Sequence, residues 1–230
     1  MKNKLKVSVL GATGLVGQNY IKLLQSHPWF ELVDLASSPR SAGKFYWEAI
    51  NKQWLLSGGI TEKIKNTKVR DASDIYKTDG NVDIVFSALD YPDKRKTKKL
   101  EFDYAKAGFP LISNNSANRW TEDVPMIIPE INHEHTELIP IQQSNRGFNK
   151  GFVVTKPNCS LQSYLVTLVA LENAGYPVEK VQVTTMQALS GGGKKALDAD
   201  EMRENVIPFI KGEEEKTEQE PLKILGDITT

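Results

Sequence analysis

Hydrophobic positions along the chain change their period several times, and the changes predict an alternation of strand and helix. Lys6-Val7-Ser8-Val9-Leu10 is a β-type run leading into Gly11-Ala12-Thr13-Gly14-Leu15-Val16-Gly17, after which Val16, Tyr20, Leu23 and Leu24 recur at helical spacing. Glu31-Leu32-Val33-Asp34-Leu35-Ala36 predicts a second strand, closed by the polar stretch Ser37-Ser38-Pro39-Arg40-Ser41. Asn81 to Leu89 predicts a third strand ending in small residues, then a helix, and Phe109-Pro110-Leu111-Ile112-Ser113 a further strand. Gly151 to Thr155 is a short β-rich run. Beyond it Leu161, Tyr164, Leu165, Leu168 and Leu171 mark a helix that Gly175 and Pro177 stop. Val181 to Met186 alternates as a strand, and helical geometry after Glu201 to Ile210 would put Glu213 and Lys216 on one face, by that pattern alone a surface ion pair. Strands alternating with helices argue for a mostly parallel, doubly wound α/β sheet.

Composition narrows the class. With 230 residues, 40% of them hydrophobic, the chain can bury a full core, and Lys+Arg 29 against Asp+Glu 29 leaves no net charge to recruit nucleic acid or an anionic membrane. The basic run Lys94-Arg95-Lys96 with Lys98-Lys99 carries no interleaved aromatics and reads as a solvated helix face. A single cysteine excludes an internal disulfide and a multi-cysteine metal site, which fits a reducing cytoplasm. His133 and His135 lie close in sequence without a third ligand, so no metal is expected. No apolar window approaches a membrane span. The expected partners are small molecules and other copies of the chain.

Two stretches carry chemistry. The first is the glycine turn between strand and helix, spaced G-x-x-G-x-x-G: it lets backbone approach a pyrophosphate, and the helix N-terminus offers N–H groups and a favourable dipole. A tight βα turn with no ligand is the plain alternative. Serine hydroxyls and Arg40 at the end of the second strand suit the 2′-phosphate of NADP, where an acidic residue would favour NAD; Asp34 would bear on this only if the strand ended earlier.

The second is Lys156-Pro157-Asn158-Cys159-Ser160. Cys159 falls at a strand-to-helix junction, where unpaired N–H groups favour thiolate over thiol, and a thiolate attacks acyl carbon well. A lone cysteine can equally be a small buried hydrophobe. Pro157 stiffens the approach, Asn158 can donate to a developing oxyanion, and Ser160 is placed to cap the helix.

Taken in order, Gly11 to Gly17, Ser37 to Lys44, Ser113-Asn114-Asn115, Pro129 to Asn132, Pro157-Asn158-Cys159, Gln187 to Gly191 and Gly212 to Lys216 resemble aspartate-β-semialdehyde dehydrogenase. The resemblance implies a Rossmann-type doubly wound parallel sheet over residues 1–156, binding NADP, followed over 157–230 by part of an α+β catalytic and dimerisation domain, incomplete at its C-terminus. It implies NADPH-dependent reductive dephosphorylation of L-aspartyl-4-phosphate through a cysteine thioester, in lysine, threonine and methionine biosynthesis, by a homodimer or dimer of dimers. In that family Cys159 would be the nucleophile, Gln187 would orient the substrate and Asn158 would help build the oxyanion site. Glu213 would bind the substrate amino group, and Arg119 and Lys216 the phosphate. Gly11, Ala12, Thr13, Gly14, Leu15, Val16, Ser37, Ser38, Arg40, Ser87, Ser190 and Gly191 would line the NADP site. The family's catalytic histidine and an arginine that clamps the substrate lie beyond the stretch ending at Thr230, and none of His27, His133 or His135 follows the cysteine. That arrangement implies exposed apolar surface in the second half. The alternatives are an N-acetyl-glutamyl-phosphate reductase and a catalytically defective NADP-binding fragment or paralogue.

Overall fold

Parallel strands dominate the first 155 residues of the computed structural model, which describes residues 3–78, 81–199 and 204–228. In chain order, β1 (Leu5–Leu10), α1 (Leu15–Leu24), β2 (Phe30–Ser37), α2 (Tyr46–Ala49), α3 (Glu62–Lys65) and β3 (Arg70–Asp71) form one half of the sheet. β4 (Ile84–Ser87), α4 (Lys94–Lys106), β5 (Pro110–Ser113), α5 (Pro129–Asn132), α6 (Leu138–Arg146) and β6 (Phe152–Thr155) form the other. The order β3-β2-β1-β4-β5-β6 is that of a Rossmann sheet, with its switch point between β1 and β4. β1 lies at the centre because Val7, Val9 and Leu10 are wholly buried between helices on both faces.

Helix α1 departs from its sequence pattern. Its buried face is Leu15, Gln18, Ile21 and Leu24, whereas Val16 and Leu23 are exposed. The polar Gln18 can sit inside because its side chain accepts from Leu55 N and donates to Gln53 O, so a buried amide and two outward aliphatics blur the period. Helix α4 follows its pattern: Thr97, Glu101, Tyr104 and Ala105 face inward, and Lys94, Arg95 and Lys99 pair outward with Asp90, Asp93 and Asp103.

After β6 the chain forms α7 (Cys159–Asn173), α8 (Gly193–Leu197) and α9 (Glu213–Ile224). Leu161 and Leu165 of α7 and Ile224 of α9 close a small core with Met126 and Ile128. Gly175, at φ +87°, ends α7 as expected, with Tyr176 N donating to Leu171 O. The strand expected over Val181 to Met186 does not form: residues 177–188 hold no regular element, because an alternating segment becomes a strand only when a neighbour satisfies its backbone, and among the described residues none does. Of the stretch Glu201 to Ile210, 201–203 lie outside the described residues and 205–210 carry no helix. Exposed apolar surface is present there, with Met186 97% and Val206 81% accessible. Between α7, α9 and these segments lies an open apolar cavity of about 1190 Å³, bordered by Leu168, Val183, Met186, Ile207 and Phe209. No helix among the described residues is long and apolar enough to cross a membrane.

Candidate active site

At the C-terminal end of β1 the chain turns through Gly11, whose φ of +74° is open to glycine at little strain. A Cβ there would lie 2.5 Å from Ala88 O, and one on Gly17 would lie 2.2 Å from Gly11 O. Both glycines therefore allow the turn to pack against β4 and α1. Gly14, the N-cap residue of α1, supplies no side-chain cap, so first-turn N–H groups are left for an anion. Ala12 and Leu15 are buried, Ala12 N donates to Ala36 O, and Val16 faces outward over the turn. Thr13 and Ser37 share a hydrogen bond of 2.6 Å between hydroxyls, joining the glycine turn to the end of β2.

Beyond Ser37 opens a polar cavity of about 380 Å³ whose walls include Thr13, Ser38, Arg40, Ser41, Lys44 and Lys194, with no Asp or Glu among its described lining residues. Asp34 does not intrude: it sits within β2, accepts from Ser8 Oγ, and pairs with Arg70 at 2.8 Å, both side chains largely buried. A shaped glycine turn, uncapped helix N–H groups and a cation-lined cavity fit a phosphorylated adenosine dinucleotide. Ser87, placed on this site by resemblance, is wholly buried and turns its hydroxyl inward to Glu101. Ser190 and Gly191 lie in a short 3₁₀ turn, Leu189–Gly192, next to Gln187.

Cys159 is exposed at the first position of α7. The cap is Asn158, whose Oδ1 accepts from Ser160 N, so the capping role expected of Ser160 belongs to its neighbour. A cap must precede the first turn, and Ser160 already lies inside it; its hydroxyl instead donates to Glu213 Oε1 at 2.8 Å. Asn158 Nδ2 donates to the same oxygen at 2.9 Å, and Asn158 Oδ1 lies 3.3 Å from the sulfur. Gln187 Nε2 approaches Sγ to 3.5 Å. Glu213 is thus no mere surface ion pair, although Lys216 does reach it at 3.5 Å. Burial alone would raise its carboxyl; the donors Ser160 and Asn158, with Lys216, hold it below the ordinary value.

Arg119 and Lys216 are not brought together as two free cations. Arg119 is buried behind the cysteine turn, its Nε donating to Lys156 O and its Nη1 paired with Glu220 at 2.8 Å. Glu220 Oε2 also accepts from Asn158 N at 2.6 Å, so one carboxylate fixes both the arginine and the residue before Cys159. Lys223 completes the dock by donating to the carbonyls of Arg119, Thr121 and Val124. Burial and the neighbouring Arg119 depress the ammonium of Lys156, while Cys159 and Glu220 favour it. The histidines are engaged elsewhere: His135 is buried between Asn132 and the carbonyl of Gly226, and His27 stacks on Phe30.

Sequence reasoning missed Glu220, Lys223, Lys194 and Glu101. Glu101, wholly buried in α4, accepts from Ser87, Ser113 and Asn118 and so ties the ends of β4 and β5 together; burial pushes its carboxyl up against those donors. Nothing local marks a carboxylate that acts 62 or 101 residues away, as Glu220 does. A Glu inside the basic run of α4, spaced with Thr97 and Tyr104 on one face, was the available signal for Glu101.

Comparison with known proteins gives concordant results. Residues 6–139 match the family described as semialdehyde dehydrogenase, NAD binding domain. An aspartate-semialdehyde dehydrogenase of Archaeoglobus fulgidus is 44% identical over 223 residues, covering 97% of this chain and 62% of that protein. A malonyl CoA reductase (NADP) of Metallosphaera sedula is 36% identical over 228 residues, covering 99% and 61%. The crystal structure of aspartate semialdehyde dehydrogenase with NADP from Candida albicans superposes with a TM-score of 0.81 at 35% identity, covering 99% of this chain and 62% of that one. The chain spans about three fifths of the length of these relatives.

Proposed function

The chain belongs to the semialdehyde dehydrogenase family, and from that premise we propose that it serves the NADPH-dependent reduction of L-aspartyl-4-phosphate to L-aspartate 4-semialdehyde. The observation that carries this reading is the convergence of Gln187, Asn158 and Glu213 around an exposed sulfur at a helix N-terminus. Cys159 attacks the acyl carbon; the C–O bond to phosphate breaks, phosphate departs with that electron pair, and a thioester remains. NADPH, when bound, would supply the hydride; as the carbonyl re-forms the C–S bond breaks, its electron pair returns to Cys159 as thiolate, and the aldehyde departs. Gln187 orients the acyl group beside the sulfur, and Asn158 lies close enough to steady the oxygen that gains charge. Its amide already donates to Glu213, so the carboxylate also fixes the direction of that donor. Glu213, held ionised, suits the substrate ammonium, and Lys216 the departing phosphate. Arg119, neutralised by Glu220, braces the turn from beneath and does not serve as a free cation for the phosphate.

The Metallosphaera relative's name supports a second reading in which the activated acyl group is a CoA thioester. The acidic Glu213 beside Asn158 and Ser160 favours a substrate bearing an ammonium group. Iodoacetamide labelling of Cys159 tests the choice. L-aspartate β-semialdehyde should protect the thiol, while malonyl CoA and N-acetyl-glutamate semialdehyde should not; labelling unchanged by the aspartyl aldehyde rejects the proposal. Phosphate-dependent reduction of NADP with the same aldehyde reports turnover directly.

A further inference from the structure

The cavity beyond β2 receives cations from two distant parts of the chain. Arg40 and Lys44 come from the loop after β2, and Lys194 comes from α8, in the second half. Lys194 Nζ donates to Gln53 Oε1 at 2.8 Å, a contact between residues 141 apart. That acceptor is neutral, and an ammonium has three donors, so charge and hydrogen-bonding capacity remain to be used. Among the described residues none of Arg40, Lys44 and Lys194 is in an ion pair, whereas Lys65, Lys77, Lys94 and Lys99 each hold a carboxylate. Three uncompensated cations around one concave, carboxylate-free space attract a multiply charged anion, and the Thr13 and Ser38 hydroxyls beside them suit phosphate oxygens.

We propose that Lys194 is a specificity-determining residue: with Arg40 and Lys44 it completes a three-cation site for the 2′-phosphomonoester of the dinucleotide. Selection of NADP over NAD then depends in part on α8 and not on the Rossmann sheet alone. This inference rests on the NADP use proposed above, and it deepens that reading by adding a contact from outside the residues matched to the dinucleotide domain. The same stretch carries Gln187, seven residues before Lys194, so the cofactor's phosphate end and the sulfur are served by one run of chain.

Isothermal titration of the full chain with NADPH, NADH, adenosine 2′-monophosphate and adenosine 5′-monophosphate tests it. Lys194→Ala and Lys194→Met should each weaken NADPH and the 2′-monophosphate by about tenfold and leave NADH and the 5′-monophosphate unchanged. Lys194→Arg should keep the preference, and Lys150→Ala, at an exposed lysine outside the cavity, should match the wild type. A wild type that prefers NADPH while both neutral variants keep the same preference overturns the role of Lys194 and leaves the NADP reading standing. A wild type with no preference for the 2′-phosphate overturns both. Equal losses with the 2′- and 5′-monophosphates show a general anion contact and also overturn the specificity claim.

Discussion

The dinucleotide end of the site is built from backbone, and the sulfur end from side chains gathered over long distances. At the first, Gly11 and Gly17 sit within one short turn whose shape is set by local φ and by the absence of Cβ atoms. At the second, Asn158 is held by Glu213 and Glu220, 55 and 62 residues later, and α9 is anchored by a lysine that binds three carbonyls about 100 residues upstream. A backbone-built site is specified by a few adjacent residues. A side-chain-built site exists only after α9 has docked, because each partner is meaningless without the others.

The largest effect separates the two ends by chemistry. Cys159→Ser should lower turnover by on the order of 10³-fold or more while NADPH binding, measured by titration, stays at the wild-type value. Survival of turnover would remove Cys159 from the reaction. Next comes the dock itself: Glu220→Leu leaves Arg119 buried without its partner and should destabilise by about 3–5 kcal/mol, read from the urea midpoint. Cys159 labelling should change in the same variant, since Asn158 N loses its acceptor.

At the backbone end, Gly17→Ala places a Cβ into Gly11 O, and the turn must open at a cost of about 1–3 kcal/mol. Weaker dinucleotide binding should accompany the lower melting temperature, with Cys159 labelling in the absence of cofactor unaltered. If labelling shifts as much as binding does, the two ends are not built independently. The last effect concerns pH. Burial holds the Lys223 ammonium down to about 8, partly offset by Asp123, from an ordinary value of 10.5. Between those values the unfolded chain binds more protons than the folded one, so this group's contribution to stability rises with pH across the window. In Lys223→Met that rise should be missing when unfolding is followed from pH 7.5 to 10.5.

Legibility in the sequence tracked the same division. Asp34 and Ser37 could be ordered along β2 from the apolar run alone, and the chain does keep Asp34 inside the strand, paired with Arg70. The helix α7 stop at Gly175 was equally local. The strand over Val181 to Met186 was misread, since alternation reports a face that could be buried and not whether a neighbour exists to pair with it. The i,i+3 spacing of Glu213 and Lys216 suggested a surface pair, yet Glu213 is drawn into the site by donors from α7.

What the amino-acid sequence determined by itself was the alternation that yields a parallel sheet, the glycine turn, and a cysteine at the start of a helix. These depend on interactions within a few residues, namely side-chain period, allowed φ and the unpaired N–H groups of a helix end. Tertiary structure alone decided that Glu220 joins Arg119 to Asn158, that Asn158 and Ser160 converge on Glu213, and that Lys194 enters the cavity of Arg40 and Lys44. Such pairings follow from where packed elements bring distant charges, and burial then makes each unpaired partner costly enough to hold the arrangement in place.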